Sequence, residues 1–198
     1  MTLSEFIEQF DKENSIVLLA GKRKVLDADQ QKLVSLGRLL ASRTQKMIFR
    51  SGNADGSDSF FATGVAAVDN TRLEVITPYS GHRKKTNQAY TTHAIDTVPI
   101  AADSEVVYQT VQSNAPMKQL IEQYIAGKRD RLSIKAAYII RDTIMAIGTD
   151  EIKPATFGIF YDDLRNPQHG GTGHTMRVCQ RNSIPKINQR VWFDWLKE

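Results

Sequence analysis

At 198 residues the chain has the length of a single domain able to bury a sizeable hydrophobic core. Hydrophobic residues make up 41% and charged residues 24%, which excludes a disordered or low-complexity chain. The net charge of +4 is mildly basic, so where the positive residues lie says more than their sum.

In chain order, Met1 to Glu13 is acidic and lacks the apolar run of a signal peptide, and Leu3 to Phe10 can form a short amphipathic helix. Ser15 to Ala20 is a short apolar run that stops at Gly21, the pattern of a strand buried on both faces. A helix follows, with Asp27 as its expected cap and Leu33, Leu36, Leu39 and Leu40 at helical spacing. Lys46 to Arg50 reads as a second strand, Ser57 to Val68 as a helix, and Leu73 to Thr77 as a third strand ended by Pro78. This β-α-β-α-β order predicts a doubly wound, mainly parallel α/β sheet with helices on both faces.

Residues 79–100 are polar and lack periodicity, so a long loop is expected there. Ser104 to Gln112, Met117 to Ile125 and Leu132 to Ile147 read as helices, giving a helical excursion near 79–147. Ala155 to Tyr161 is a fourth strand, His174 to Arg181 a helix, and Ile184 to Asn188 a fifth strand before a closing segment with Trp192 and Trp195. Residues 1–198 are taken as one domain. No segment approaches the roughly 18 consecutive apolar residues of a membrane span, so a soluble, cytoplasmic protein is expected, with no membrane partner. The single cysteine, Cys179, excludes an internal disulfide framework and falls in a helical stretch, which implies buried packing.

Ligands of an open parallel sheet bind beyond the carboxyl ends of its strands. Those ends here carry Gly21-Lys22-Arg23-Lys24, Arg50-Ser51-Gly52, Ser80 to Lys85, and Arg165 with Gly170 to Gly173. Glycines and basic side chains thus gather on one edge, as a phosphate-bearing ligand requires. Ser51-Gly52-Asn53-Ala54-Asp55-Gly56-Ser57-Asp58 joins a strand to a helix, and Gly170-Gly171-Thr172-Gly173-His174-Thr175 does so again. In both, tight turns and free helix-start N–H groups suit an anion. Asp55 and Asp58 can each hold ribose hydroxyls or cap the helix. Arg141-Asp142 sits in an apolar helix, either as a solvated pair or with Arg141 turned to phosphate. His169 and His174 are five apart below Asp162 and Asp163, but no third nitrogen ligand is evident, so no metal site or cofactor is expected. His82 and His93 are expected at the surface.

These residues resemble the DprA/LOG superfamily, also called SLOG, of Rossmann-like proteins. Ser51 to Asp58 is similar to the first loop of that group, Ser-Gly-Gly-Ala-x-Gly-x-Asp, and Gly170 to Thr175 to its phosphate-gripping second loop, Gly-Gly-x-Gly-Thr. Arg141-Asp142 sits where the LOG-type phosphoribohydrolases carry an Arg-Lys pair. The strand-end reading, which supplies Gly21, Lys22 and Arg50, and the likeness together predict a nucleotide site built from Gly21, Lys22, Arg50, Ser51, Gly52, Asn53, Asp55, Ser57, Asp58, Arg141, Gly170, Gly171, Thr172, Gly173, His174 and Thr175. LOG-type enzymes follow the second loop with a catalytic glutamate, whereas Gly173 is followed by His174-Thr175-Met176-Arg177. That departure favours a sensor or regulatory protein binding a nucleotide-like ligand over a nucleoside 5′-monophosphate phosphoribohydrolase, for which Arg141 and Asp162 are the candidate catalytic residues. Single-stranded DNA binding of the DprA kind is the other alternative. Tyr79, Tyr90 and Tyr108 are available for it but show no spaced platform. The helices around Tyr124 and Tyr138 supply a face for homo-oligomer formation.

Overall fold

The computed structural model describes residues 1–102 and 104–198. Among them are six strands, β1 (Ile16–Gly21), β2 (Ile48–Ser51), β3 (Leu73–Thr77), β4 (Thr91–Ala94), β5 (Phe157–Tyr161) and β6 (Lys186–Asn188). They form one all-parallel sheet in the order β4-β3-β2-β1-β5-β6. The α-helices are α1 (Leu3–Phe10), α2 (Asp27–Arg43), α3 (Ser57–Asp69), α4 (Glu105–Ser113), α5 (Lys118–Ile125), α6 (Ile134–Ile147), α7 (Gly170–Arg181) and α8 (Gln189–Trp195). No helix among the described residues is long and apolar enough to cross a membrane.

Side chains alternate across each strand, so the two faces of β1 feed two separate cores. Val17 and Leu19 join the cluster of α1, α2, α3 and α8, which takes in Phe6, Leu36, Phe61, Trp192 and Trp195. Leu18 and Ala20 face the cluster of α4 to α7, with Val107, Tyr124, Ile140 and Cys179. Burial pushes the Cys179 thiol up to about 12, so it packs as a small apolar side chain. Tyr124 is likewise buried in this second core.

Helices α2 and α3 touch through glycine. A Cβ on Gly64 would run into the carbonyl of Val34, and one on Gly37 into that of Phe61. Gly64→Ala is therefore expected to destabilise the protein by about 1–3 kcal/mol, despite the better helix propensity of alanine. Urea unfolding midpoints check this.

Three expectations are corrected. The region 79–100 holds β4, which pairs with β3 at the sheet edge; it has one neighbour and is not fully buried on either face, so its Thr91-Thr92-His93-Ala94 sequence lacks an apolar signature. Asp27 is the first residue inside α2 and bonds Gln30, while Leu26 occupies the cap without a side-chain bond. Helix α7 begins at Gly170, four residues before the expected start. Its glycines belong to the first turn, and at Gly173 any Cβ would strike the backbone of Gln168.

Candidate functional site

The strand order reverses between β1 and β5, because the chain builds outward from β1 to β4 and then crosses back. The crevice at such a switch point, beyond the carboxyl ends of the strands, is where doubly wound folds bind ligands. A cavity of about 440 Å³ occupies it. A larger one, about 810 Å³, is lined by Pro154, Ala155 and Ile184, which precede β5 and β6, and so lies at the amino ends of the strands.

Four segments wall the crevice. The turn after β1 supplies Gly21, Lys22, Arg23 and Lys24, and the loop into α3 supplies Ala54 and Asp58. Helix α6 contributes Tyr138, Arg141 and Asp142. The loop after β5 and the start of α7 contribute Asp163, His169, Gly170, Gly171, Thr172 and Thr175. The two glycine-bearing loops far apart in sequence are thus brought to one cavity. The first turn of α7 leaves backbone N–H groups without intrahelical acceptors there.

The first loop is held by its own carboxylate. Asp58 Oδ2 accepts the N–H of Gly52 at 3.1 Å and that of Ala54 at 3.4 Å. Those donors are therefore satisfied internally and do not await a ligand. Burial drives the Asp58 carboxyl upward, opposed by the Arg141 charge and these bonds. Ser57 is fully buried and donates its hydroxyl to the Lys22 carbonyl at 2.7 Å, which ties the loop to the turn after β1. Asn53 stands in the left-handed region at φ 52° and donates to the His82 carbonyl, and Asp55 pairs with Arg83. Ser51 is buried with its hydroxyl unpartnered.

Arg141 donates to the carbonyl of Gly52, and its Nε lies 2.9 Å from Asp142 Oδ1 without the alignment of a hydrogen bond. Asp142 is 7% exposed. Burial raises its carboxyl to about 6, with Arg141 pulling it down and Asp58 pushing it further up. At the other wall Lys22 reaches Asp163 at 3.8 Å.

Of the residues expected at the site, Gly21, Lys22, Asp58, Arg141, Gly170, Gly171, Thr172 and Thr175 border the cavity. Arg50 does not: it is fully buried below, bonded to Glu74 at 2.6 Å and to the Met145 carbonyl. His174 is buried on the face of α7 that packs on α6, its Nε2 2.9 Å from Thr143 Oγ1, and burial lowers it to about 4, so it stays neutral. Asp162 accepts the N–H groups of Asp163 and Gln168 and shapes the loop. Sequence reasoning missed Asp142 as a cavity residue. The Arg141-Asp142 pair in an apolar helix was the available signal, and it was read for its cation alone. Sequence reasoning named Tyr79 as available to a base and His82 and Tyr138 for other reasons, but not the aromatic rim they form, where the three rings meet edge to face with centroids 5.0–6.5 Å apart.

Neither a family model nor a curated protein matches the sequence. Among solved structures the chain is similar to DNA processing protein A from Helicobacter pylori, in a structure described for its single-stranded DNA binding mode. The TM-score is 0.49 and the identity 14%, with 94% of this chain and 68% of that chain covered.

Proposed function

We propose that the switch-point crevice binds a small phosphorylated, nucleotide-like ligand. The observation that carries this reading is the meeting of Lys22, Arg23, Lys24 and Arg141 with the amino end of α7 around one 440 Å³ cavity, a size suited to a small organic ligand. With the first loop's amides taken up by Asp58, the phosphate is assigned to the basic turn after β1. Guanidinium and ammonium groups there give charge-assisted bonds. The missing glutamate and the loop-shaping role of Asp162 favour binding over cleavage of the ligand.

The test is thermal unfolding in phosphate-free buffer with nucleoside monophosphates, diphosphates and ADP-ribose. A ligand at a hundred times its Kd adds about 2.7 kcal/mol, a shift of several degrees. Lys22→Ala combined with Arg23→Ala is expected to cut affinity roughly tenfold or more. A panel that shifts nothing overturns the reading.

The rim favours a second reading, single-stranded nucleic acid. Exposed Lys84 and Lys85 follow the Tyr79–His82–Tyr138 group, a pairing of bases' stacking partners with phosphate partners. On this reading oligonucleotide affinity falls steeply with salt, and Lys84→Glu with Lys85→Glu removes it.

A further inference from the structure

We infer that Asp142 is the specificity-determining residue of the crevice, accepting hydrogen bonds from the sugar hydroxyls of a ribose 5-phosphate-containing ligand. The inference rests on the reading of the crevice as a nucleotide site and names the part of the ligand that Asp142 reads.

Three carboxylates border the cavity, and two are already engaged. Asp58 holds the N–H groups of Gly52 and Ala54. Asp163 stands at the outer wall, accepts the N–H of Arg165 and faces Lys22. Asp142 is different. Its polar contact is the misaligned approach of Arg141 Nε to Oδ1 at 2.9 Å, and its carboxylate borders the open cavity. A carboxylate this buried is costly unless its lone pairs are used. Burial and the neighbouring Asp58 charge raise its carboxyl, against the pull of Arg141 and Arg23.

The place of Oδ2 decides what the partner can be. A Cβ built on Gly171 would lie 3.0 Å from it, so the carboxylate borders the first turn of α7. A phosphate seated on those amides would press against an anion. An amine would have to enter among Lys22, Arg23, Lys24 and Arg141. A hydroxyl fits both neighbours, since it donates to the carboxylate and accepts from a helix-start N–H. The ligand is therefore oriented with its phosphate on the basic turn after β1 and its sugar between Asp142 and α7. Asp55 and Asp58, the carboxylates that the sequence offered for the ribose, are spent on Arg83 and on the loop backbone.

Calorimetric titration with AMP, its 2′-deoxy and 3′-deoxy analogues, ribose 5-phosphate and GMP tests this. In the wild-type protein, loss of at least one of the two hydroxyls is expected to weaken binding roughly tenfold or more, as for a hydrogen bond to a charged group. Ribose 5-phosphate is expected to bind without any base. Asp142→Ala and Asp142→Asn should both erase most of the discrimination against the deoxy analogue while the phosphate contacts keep measurable affinity; circular dichroism confirms folding, and Asp142→Asn carries the readout where the alanine variant does not fold. Equal binding of AMP and both deoxy analogues overturns the inference and leaves the nucleotide site standing. So does discrimination that survives in both variants, or a role confined to AMP against GMP. If none of the probes binds, the nucleotide reading itself falls and takes this inference with it.

Discussion

Arg50→Met is expected to destabilise the folded chain by about 3 kcal/mol or more, and adding Glu74→Leu to return much of that loss. Arg50 lies on β2, has no exposed surface, and bonds Glu74 on the neighbouring strand at 2.6 Å. Burial works against its charge and Glu74 works for it. Removing the cation alone strands a mostly buried carboxylate beside an apolar core, which is the expensive half of breaking an ion pair. Removing both charges strands nothing. One guanidinium nitrogen, Nη2, is buried without a partner, so the native pair is itself imperfectly satisfied. That is a further reason for the double variant to approach wild type. Urea unfolding of the two single variants and the double variant gives the coupling directly. A single variant within a few tenths of a kcal/mol of wild type would show that the pair carries no such weight.

The second large effect concerns pH. Asp142→Asn is expected to stabilise the ligand-free protein above pH 6, on the order of 3 kcal/mol, since each unit of pKa displacement is worth about 1.4 kcal/mol. The folded protein holds the Asp142 proton up to about pH 6, whereas the unfolded chain releases it near the ordinary value of 3.8. Between those two values the native state binds more protons than the unfolded one. Stability attributable to this group therefore falls as pH rises from about 4 to 6 and stays low above it. Asparagine has no charge to desolvate, so the variant escapes that loss. Below pH 4 the two proteins should converge, because Asp142 is protonated in both states. Unfolding midpoints measured from pH 3.5 to 8 decide the matter; curves that run parallel across the range would rule out a strained carboxylate. A site that costs stability in the empty protein is consistent with a group kept for a ligand.

How far the site was legible follows from which interactions are local. The glycine-bearing loops, the basic turn at Lys22 and the Arg141-Asp142 pair stand out as residue types in a strand-to-helix setting. Whether a given side chain faces ligand or protein does not. Arg50 and Lys22 are both basic residues at or just beyond the carboxyl end of a strand, yet Glu74 claims Arg50, whereas Lys22 borders the open cavity. Asp55, Asp58 and Asp142 are alike in sequence, but Arg83 takes the first and loop amides the second.

The amino-acid sequence by itself determined the layered fold, because runs such as Ser15 to Ala20 and the leucine stripe of α2 encode strand and helix through their own periodicity. It did not determine β4, whose four polar residues become a strand through pairing with β3. Nor did it determine the working faces of the crevice. Those depend on β1 and β5 lying side by side while about 140 residues separate them in the chain, and on burial that sets which charges are paired within the protein and which border the open cavity. Such terms exist only once the chain has closed on itself.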